Sequence, residues 1–290
     1  MTKEIGIEMK IVSMSDLHLE HHGHKPYFGL SETIIWNGPN ARVLILAGDI
    51  VDTGSLKEPK YRARLRELFL RFSTNYPHVL YVMGNHEHYN GDFFKTQDRI
   101  KEFLFEFKNI VLLEKTGIFI DDVRFFGGTM WTDLSDPIKA MVAKKGMNDY
   151  YLVENSGADV SFRVKEENGQ YSRHTRPGRL LPSDTTQDYN TFVRALTDDL
   201  ELHSNRYVVV THHTPSYVMC DPSYIGDEYN ACYHNNLENL ILDNSKIKRW
   251  YCGHTHRGVR KMIGECEIIL NPRGYPGENK KEYELAETEL

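Results

Sequence analysis

The sequence predicts an α/β fold built around a mainly parallel sheet, and two observations lead to this fold class. Apolar runs with the composition of strands alternate with segments of helical periodicity through the first half of the chain. This alternation favours right-handed βαβ units, whose strands lie parallel. Polar side chains able to bind metal also follow several of the apolar runs, which is where ligands of such sheets bind.

The individual elements follow from local patterns along the chain. Strands are predicted where short apolar and aromatic runs end at turn residues. They fall at about 7–15, 43–49, 79–84, 110–113, 118–121, 123–127, 206–211, 247–252, 259–263 and 266–270. Helices are predicted where apolar residues recur at helical spacing. They fall at about 57–73, 91–107 and 185–203.

The predicted domain organisation is a single domain with one interruption. The domain covers residues 1–275, and a polar insertion or lid lies at about 134–184. The insertion is too short and too polar for a core of its own. Residues 276–290 form a charged C-terminal tail that we expect to be frayed.

The composition is that of an ordinary globular protein. Hydrophobic residues make up 40% and charged residues 26% of the 290-residue chain. The net charge of −6 disfavours broad nucleic-acid binding. No signal peptide or membrane-spanning run is predicted, so we expect a cytoplasmic protein. The four cysteines form no C-x-x-C pair and are expected to be reduced thiols.

Seven side chains able to bind metal lie at the downstream ends of five predicted strands. They are Asp16, His18, Asp49, Asn85, His212, His254 and His256. Because the carboxyl ends of parallel strands meet at one edge of a sheet, these side chains are expected to converge. Taken singly, Asp16 or Asp49 could equally well cap a turn after a strand. Taken together, the seven predict a two-metal hydrolytic site.

The donor set indicates which metals and substrates suit the site. Asp, His and Asn donors suit divalent transition metals, with Mn preferred and Fe, Zn or Ni as alternatives. Two such ions can clamp a phosphoryl group for in-line attack. With only two ligating carboxylates, Asp16 and Asp49, the site would keep a net charge of about +2, which favours a phosphate ester.

The chain resembles the calcineurin-like metallophosphoesterase family through five motifs in order. They are D-L-H at 16–18, G-D at 48–49, G-N-H-E at 84–87, T-H-H at 211–213 and G-H-T-H at 253–256. The strings at 126–133, 148–150 and 271–275 resemble small bacterial and phage members. The resemblance implies a four-layer α/β/β/α sandwich of two mixed sheets flanked by helices.

The resemblance also implies a role for each matching residue. Asp16, His18 and His256 would hold one metal. Asp49 would bridge both metals, and Asn85, His212 and His254 would complete the second site. His86 would face the substrate, stabilising phosphoryl oxygens or protonating the leaving group. The implied reaction is hydrolysis of a phosphate mono- or diester, of a small organic phosphate or nucleotide, by metal-bound hydroxide. We expect no phosphoenzyme.

Several other residues carry weaker expectations. Arg273 and Tyr150 are predicted to contact the substrate, since a guanidinium suits phosphate and an aromatic face can cover a leaving group. Glu87 is expected either to orient His86 or a ligand, or simply to begin a helix. His213 is expected to play a supporting or structural part, because neighbouring side chains alternate along an extended segment. The histidines at 21, 22 and 24 are expected in a solvated loop near the site rather than around a zinc ion.

Two other functions remain open from the sequence. One is a serine/threonine-type protein phosphatase, which the resemblance disfavours because Thr53 replaces the arginine of G-D-x-x-D-R-G and Leu19 replaces a glycine. The other is a binding scaffold that keeps the fold without catalysis. Such scaffolds typically lose a ligand or the catalytic histidine, and both are intact here.

Overall fold

The structure is a computed structural model that describes residues 9–23, 25–35, 40–167, 169–278 and 283–290. Its strands are β1 (Lys10–Met14), β2 (Val43–Ala47), β3 (His78–Val82), β4 (Ile110–Leu112), β5 (Thr116–Ile120), β6 (Val123–Gly128), β7 (Glu154–Lys165), β8 (Tyr171–Arg179), β9 (Arg206–Thr211), β10 (Ile247–Cys252), β11 (Val259–Ile263), β12 (Cys266–Leu270) and β13 (Ala286–Glu289). Its α-helices are α1 (Glu32–Ile35), α2 (Pro59–Asn75), α3 (Thr96–Leu104), α4 (Pro137–Gly146), α5 (Asp149–Leu152), α6 (Pro182–Leu202) and α7 (Glu238–Asp243).

The first large sheet has the strand order β13-β1-β2-β3-β4. Strands β1 to β4 are parallel, and β13 pairs antiparallel with β1 at the edge. Successive residues of β2 point to opposite faces. Leu44 and Leu46 pack under α2 and α3, whereas Val43, Ile45 and Ala47 face the second sheet. Both faces of this strand are therefore buried, which explains its unbroken apolar sequence.

The second large sheet has the order β11-β12-β10-β9-β6-β5. Its four inner strands are parallel and its two edge strands antiparallel. In β9, Tyr207 and Val209 pack under α6 and α7. Val208 and Val210 point the other way, into the layer shared with the first sheet. Helices, sheet, sheet and helices thus form four layers, and the predicted fold class is confirmed.

The C-terminal tail and the start of the second predicted helix differ from the sequence expectation, and the insertion contains regular elements that pack on the rest of the chain. Residues 286–289 are not frayed but add strand β13 to the first sheet. The insertion holds α4, α5 and the hairpin β7–β8, and its buried residues Ala143, Tyr150 and Val153 pack with Ala231 and Cys232. The second predicted helix begins at Thr96 rather than near 91, because the preceding residues form turns.

Two further observations concern membranes and thiols. Within the described ranges, no helix is both long enough and apolar enough to cross a membrane. All four cysteines lie in the described part of the chain and all are free thiols, as expected.

Replacing Phe69 by alanine tests the helix-side core. The Phe69 ring is fully buried and lies 5.2 Å from the ring of Phe103. Removing it should lower the free energy of unfolding by about 3–5 kcal/mol, measured by denaturant titration. The control is Phe105→Ala, because Phe105 is 78% exposed; it should change stability by less than about 0.5 kcal/mol. Equal losses in the two variants would contradict this description of the core.

Candidate metal centre and adjoining cleft

The loops that follow β1, β2, β3, β9 and β10 meet at one edge of the two sheets. Three of the predicted residues form one group, Asp16, His18 and His256, whose donor atoms lie within 4.8 Å of one another. His18 Nε2 lies 2.9 Å from His256 Nε2, and His256 Nε2 lies 3.6 Å from Asp16 Oδ1. Three converging nitrogen and oxygen atoms of this kind can hold a transition metal.

A second group contains Asp49, His212 and His254, again within 4.8 Å. His212 Nε2 lies 3.1 Å from Asn85 Oδ1 and 3.3 Å from Asp49 Oδ2. The other ring nitrogen of His212 lies 3.0 Å from the Ala47 carbonyl oxygen. Donation to that carbonyl leaves Nε2 with a lone pair, which is the usual arrangement of a metal-binding histidine.

Asp49 lies between the two groups. Its Oδ2 is 3.3 Å from His212 Nε2 and 3.8 Å from His18 Nε2. Burial acts to raise the pKa of this carboxyl, but the neighbouring imidazoles of His212, His86 and His18 hold it well below its usual value. The carboxylate is therefore charged and within reach of both donor groups.

One carboxylate oxygen of each aspartate accepts a hydrogen bond from the backbone of another loop. Asp16 Oδ1 accepts a hydrogen bond from the His254 backbone N–H at 2.9 Å. Asp49 Oδ1 accepts one from the His86 backbone N–H at 2.8 Å. The second oxygen of Asp49, Oδ2, faces His18 and His212. Among the described residues, the buried Asp16 Oδ2 and His254 Nε2 have no hydrogen-bond partner, and bound metal would satisfy both.

The loops hold several of these residues in the left-handed region of backbone conformation. The φ angles are 50° at Asp16, 42° at His18, 54° at Asp49, 73° at His254 and 50° at His256. Such conformations cost side-chain-bearing residues free energy and persist where surrounding structure enforces them. Strain concentrated at five of the seven predicted ligands supports a site that is positioned before metal binds.

Two motif glycines, Gly84 and Gly253, leave room for the aspartate side chains that pack against them. A Cβ atom on Gly84 would lie 2.1 Å from Asp49 Oδ1. A Cβ atom on Gly253 would lie 2.5 Å from Asp16 Oδ2. Both distances are far below van der Waals contact. The glycines of G-N-H-E and G-H-T-H are thus required by close approach of the aspartates.

Glu87 organises the loops that carry Asp49 and Asn85. Its buried carboxylate accepts hydrogen bonds from the backbone N–H groups of Asp49 (3.0 Å), Ile50 (2.7 Å) and Gly84 (2.5 Å). The Tyr81 hydroxyl donates a further one at 2.6 Å. The structure therefore supports the prediction that Glu87 orients a ligand. Glu87 does so by holding the backbone of Asp49.

Asp149 is a site residue that the sequence did not single out. Asn85 Nδ2 donates to Asp149 Oδ1 at 2.8 Å and to the Tyr89 hydroxyl at 3.2 Å. With its amide nitrogen engaged in this way, Asn85 directs its oxygen toward His212. Burial is the main cause of the raised pKa of Asp149. The only sequence signal was its place in the string N-D-Y.

His86 lies beside both donor groups with its ring held on two sides. Its Nδ1 is 3.4 Å from Glu20 Oε1, and its Nε2 is 3.1 Å from the Tyr275 hydroxyl. The ring stacks on Tyr89 with centroids 4.1 Å apart. Burial acts to lower the pKa of His86, but the charges of Asp49 and Glu20 raise it to about 9. Glu20 and Tyr275 were not predicted as site residues.

The two predicted substrate contacts lie away from the cleft. Tyr150 is buried, and its hydroxyl lies 3.1 Å from Thr185 Oγ1. Arg273 donates to the Phe28 carbonyl at 3.0 Å, and burial lowers its pKa to about 10. Neither residue is among those that line the cleft, so both substrate contacts stay predictions without support from the cleft geometry. The tyrosine that does reach the centre is Tyr275.

The remaining histidines support the centre or stand beside it. His213 is buried, with its ring 4.2 Å from that of His254, and belongs to neither donor group. His21 is half-exposed and its Nε2 lies 3.7 Å from Glu20 Oε1, which places it at the mouth of the site. His24 lies outside the described residues, so the expectation for the three-histidine loop is only partly addressed.

A cleft of about 700 Å³ opens directly onto the centre. Its wall is formed by residues 146–148 of the insertion, parts of 220–234, and the segments 254–257 and 275–278. This volume falls in the range of small-molecule sites. The insertion thus contributes to the cleft through its first half, whereas the β7–β8 hairpin does not line it.

The family of the chain follows from its match to known proteins. The model of the calcineurin-like phosphoesterase family matches residues 9–258, most of the chain. The protein therefore belongs to the calcineurin-like phosphoesterase family, and it is a phosphoric ester hydrolase. The resemblance inferred from the five motifs is confirmed.

Individual relatives are distant. The chain is 28% identical over 285 residues to an uncharacterized protein of Acanthamoeba polyphaga mimivirus, covering 91% of each chain. Phosphopantetheinyl hydrolase from Mycobacterium tuberculosis superposes with a TM-score of 0.67 at 17% identity, over 98% of this chain and 97% of that one. A putative 5'-nucleotidase from Staphylococcus aureus gives 0.52 at 13% identity, over 97% and 53%. These two structures establish the shared fold.

Substitution of Glu87 tests its role in positioning the loops. Glu87→Gln replaces one acceptor oxygen by an amide donor that faces backbone N–H groups. It should therefore destabilise the protein by about 1–3 kcal/mol and weaken metal binding at the centre. Thermal unfolding and metal titration measure the two effects. The matched control is the exposed Glu106→Gln, which should alter neither; an unchanged metal affinity in Glu87→Gln would contradict the proposed role.

Proposed function

We propose that this protein is a dinuclear-metal phosphoesterase that hydrolyses phosphate mono- or diesters of small organic molecules or nucleotides by direct attack of water. The observation that carries this proposal is that Asp49 belongs to one donor group and also reaches the other. One carboxylate oxygen lies within 4 Å of a histidine nitrogen from each group. That arrangement suits a bridging ligand between two ions.

The described residues fit two divalent ions. Asp16, His18 and His256 would hold one ion, Asn85, His212 and His254 the other, and Asp49 both. When bound, the two ions would polarise the phosphoryl group and activate a water molecule for in-line attack. Imidazole, amide and carboxylate donors together suit manganese, which we propose, with iron, zinc or nickel as alternatives.

His86 would supply the proton that the departing oxygen requires. Glu20 lies beside Nδ1, so that nitrogen keeps its proton and Nε2 faces Tyr275 and the cleft. From there Nε2 can donate to a phosphoryl oxygen or to the leaving group. The Tyr275 hydroxyl is close enough to align the ring and to contact the same substrate oxygen.

A phosphoprotein substrate is less compatible with this site. Thr53 stands where protein phosphatases of the superfamily carry an arginine, and its side chain is buried. No guanidinium therefore reaches the phosphate from this position. The cleft volume of about 700 Å³ also corresponds to a small-molecule ligand.

Metal analysis tests the dinuclear centre. Protein purified without chelator and supplied with manganese should contain about two ions per chain. Asp49→Asn removes the negative charge placed next to both ions, so the metal content of this variant should fall below about one ion per chain. Asp52→Asn, a nearby carboxylate that accepts from the Ser55 backbone N–H, is the matched control. Two tightly held ions in Asp49→Asn would refute a bridging role.

Substitution of His86 separates catalysis from metal binding. His86→Ala should keep its metal content while its turnover of a nucleoside monophosphate, whose alkoxide leaving group needs a proton, falls about 10²–10⁴-fold. Its turnover of bis-p-nitrophenyl phosphate and p-nitrophenyl phosphate, whose leaving group departs unprotonated, should fall less. The exposed His174→Ala should retain wild-type turnover. If His86→Ala loses metal in parallel with turnover, His86 is a ligand and the assignment is wrong. For the wild-type protein, the ratio of the rates on bis-p-nitrophenyl phosphate and p-nitrophenyl phosphate gives the preference for a diester or a monoester.

A further inference from the structure

The cleft beside the metal centre has an aromatic wall continuous with the centre itself. The Tyr233 ring lies 4.8 Å from the ring of His254, tilted by 33°. On the other side, Tyr89 stacks on His86. Each tyrosine has one face against a centre histidine and also lines the cleft. Flat apolar surface therefore begins immediately next to the position of the phosphoryl group.

A third tyrosine is fixed in the wall by the insertion. Tyr229 lies against Gly146 so closely that a Cβ on the glycine would come within 2.1 Å of Tyr229 Cε1. Its backbone N–H donates to the Asp227 side chain at 2.8 Å. The ring is thus held between the end of α4 and the 228–232 turn. A rigid aromatic ring provides a stacking surface at low entropic cost.

The charges in the outer part of the wall are mainly negative. Among the described lining residues beyond the centre, Asp221 and Asp227 are acidic and Arg257 is basic, whereas the carboxylate of Glu278 lies 2.7 Å from His256 Nδ1 and so belongs to the centre. The guanidinium of Arg257 is already paired with Asp221 at 2.8 Å. A second phosphate placed in this part of the cleft would meet carboxylates without a free described cation. Like-charge contact of this kind disfavours a ligand.

From these walls we infer that the cleft binds the organic part of a phosphate ester that is flat, aromatic and free of any second phosphate, as in a nucleoside monoester or diester. This inference rests on the proposed phosphoesterase function and specifies its substrate class. Tyr229 and Tyr233 provide the stacking surface, and the surrounding carboxylates exclude a further anionic group. Any nucleobase can stack on a tyrosine ring. The cleft should therefore select substrates by the flatness and the charge of their organic part rather than by the identity of the base.

Three chromogenic esters with the same leaving group test the inference on the manganese-loaded protein. They are methyl p-nitrophenyl phosphate, thymidine 5'-(p-nitrophenyl phosphate), and the same thymidine ester carrying a 3'-phosphate. The reacting bond and the released p-nitrophenol are identical in all three. The wild-type protein should show about 5- to 100-fold higher kcat/KM for the thymidine ester than for the methyl ester, the range expected for stacking. The added 3'-phosphate should remove most of that gain.

Alanine variants test whether the preference for the thymidine ester comes from the tyrosines of the cleft wall. Tyr229→Ala and Tyr233→Ala should lower the preference for the thymidine ester over the methyl ester, measured as the ratio of their kcat/KM values, by about 5- to 100-fold. Tyr229→Phe and Tyr233→Phe keep the ring and should keep the preference. Tyr171→Ala is the matched control, because Tyr171 is 65% exposed on the β7–β8 hairpin and does not line the cleft.

A charge variant tests the second part of the inference. Asp227→Asn keeps an acceptor for the Tyr229 backbone N–H but removes one negative charge. It should raise kcat/KM for the 3'-phosphorylated ester by about two- to fivefold relative to the unphosphorylated thymidine ester. Equal changes for the two esters would overturn the role of the carboxylates.

The outcomes separate this inference from the proposed function. If none of the three esters is hydrolysed, nor p-nitrophenyl phosphate, the phosphoesterase proposal itself fails. If the methyl and thymidine esters are hydrolysed with equal kcat/KM by the wild-type protein, the function stands and the aromatic subsite is refuted. This wild-type comparison decides the question even where an alanine variant folds poorly. A preference for the 3'-phosphorylated ester would also overturn the inference.

Discussion

The buried carboxylate of Glu87 is the interaction on which the metal centre depends most. It accepts backbone hydrogen bonds from the loop after β2, at Asp49 and Ile50, and from the loop after β3, at Gly84. Burial and the nearby charge of Asp49 raise the pKa of this carboxyl, and the hydrogen bonds from the Tyr81 hydroxyl and the Ile50 backbone N–H act against that rise. One carboxylate therefore fixes two adjacent loops, and through them it positions a predicted ligand of each loop.

The strained backbone of the ligand loops is sustained by the same kind of reciprocal hydrogen bonding. Asp16 accepts from the backbone of His254, and Asp49 accepts from the backbone of His86. Each aspartate thereby ties its own loop to a loop from another strand, and Asp49 keeps its second oxygen beside His18 and His212. Left-handed conformations that cost about 1–3 kcal/mol each are tolerable only in such a network. These hydrogen bonds therefore keep the donor atoms of the ligand loops close together before any ion binds.

The sequence predicted those parts of the structure that depend on local pattern. The strand β2 was identified because burial on both faces requires an unbroken apolar run. The motif loops were identified because polar side chains able to bind metal directly follow the apolar runs of parallel strands. Strand β13 was missed because its sequence A-E-T-E has no apolar alternation and is set by pairing with β1. Glu20 and Tyr275 were missed because only the tertiary fold brings them to His86.

The direction of the Tyr150 side chain has a simple geometric cause. Asp149 and Tyr150 are consecutive residues of the short helix α5, and successive helical side chains point about 100° apart. Asp149 therefore turns toward Asn85 while Tyr150 turns toward Thr185. The string N-D-Y was a correct indication of a site segment, but it could not show which side chain faced the centre.

The position of Asp149 also relates substrate selection to the metal centre. Residues 146–148 line the cleft, and Asp149 follows them directly while accepting the hydrogen bond that orients the Asn85 amide. Asp149 is buried together with Tyr89, whose hydroxyl donates to it at 3.1 Å. A shift of the cleft wall large enough to admit a bulkier group would move this acceptor and rotate the Asn85 oxygen away from His212. Residues 146–149 therefore contribute both to one wall of the cleft and to the position of the Asn85 oxygen, so a displacement of this segment would also disturb the second donor group.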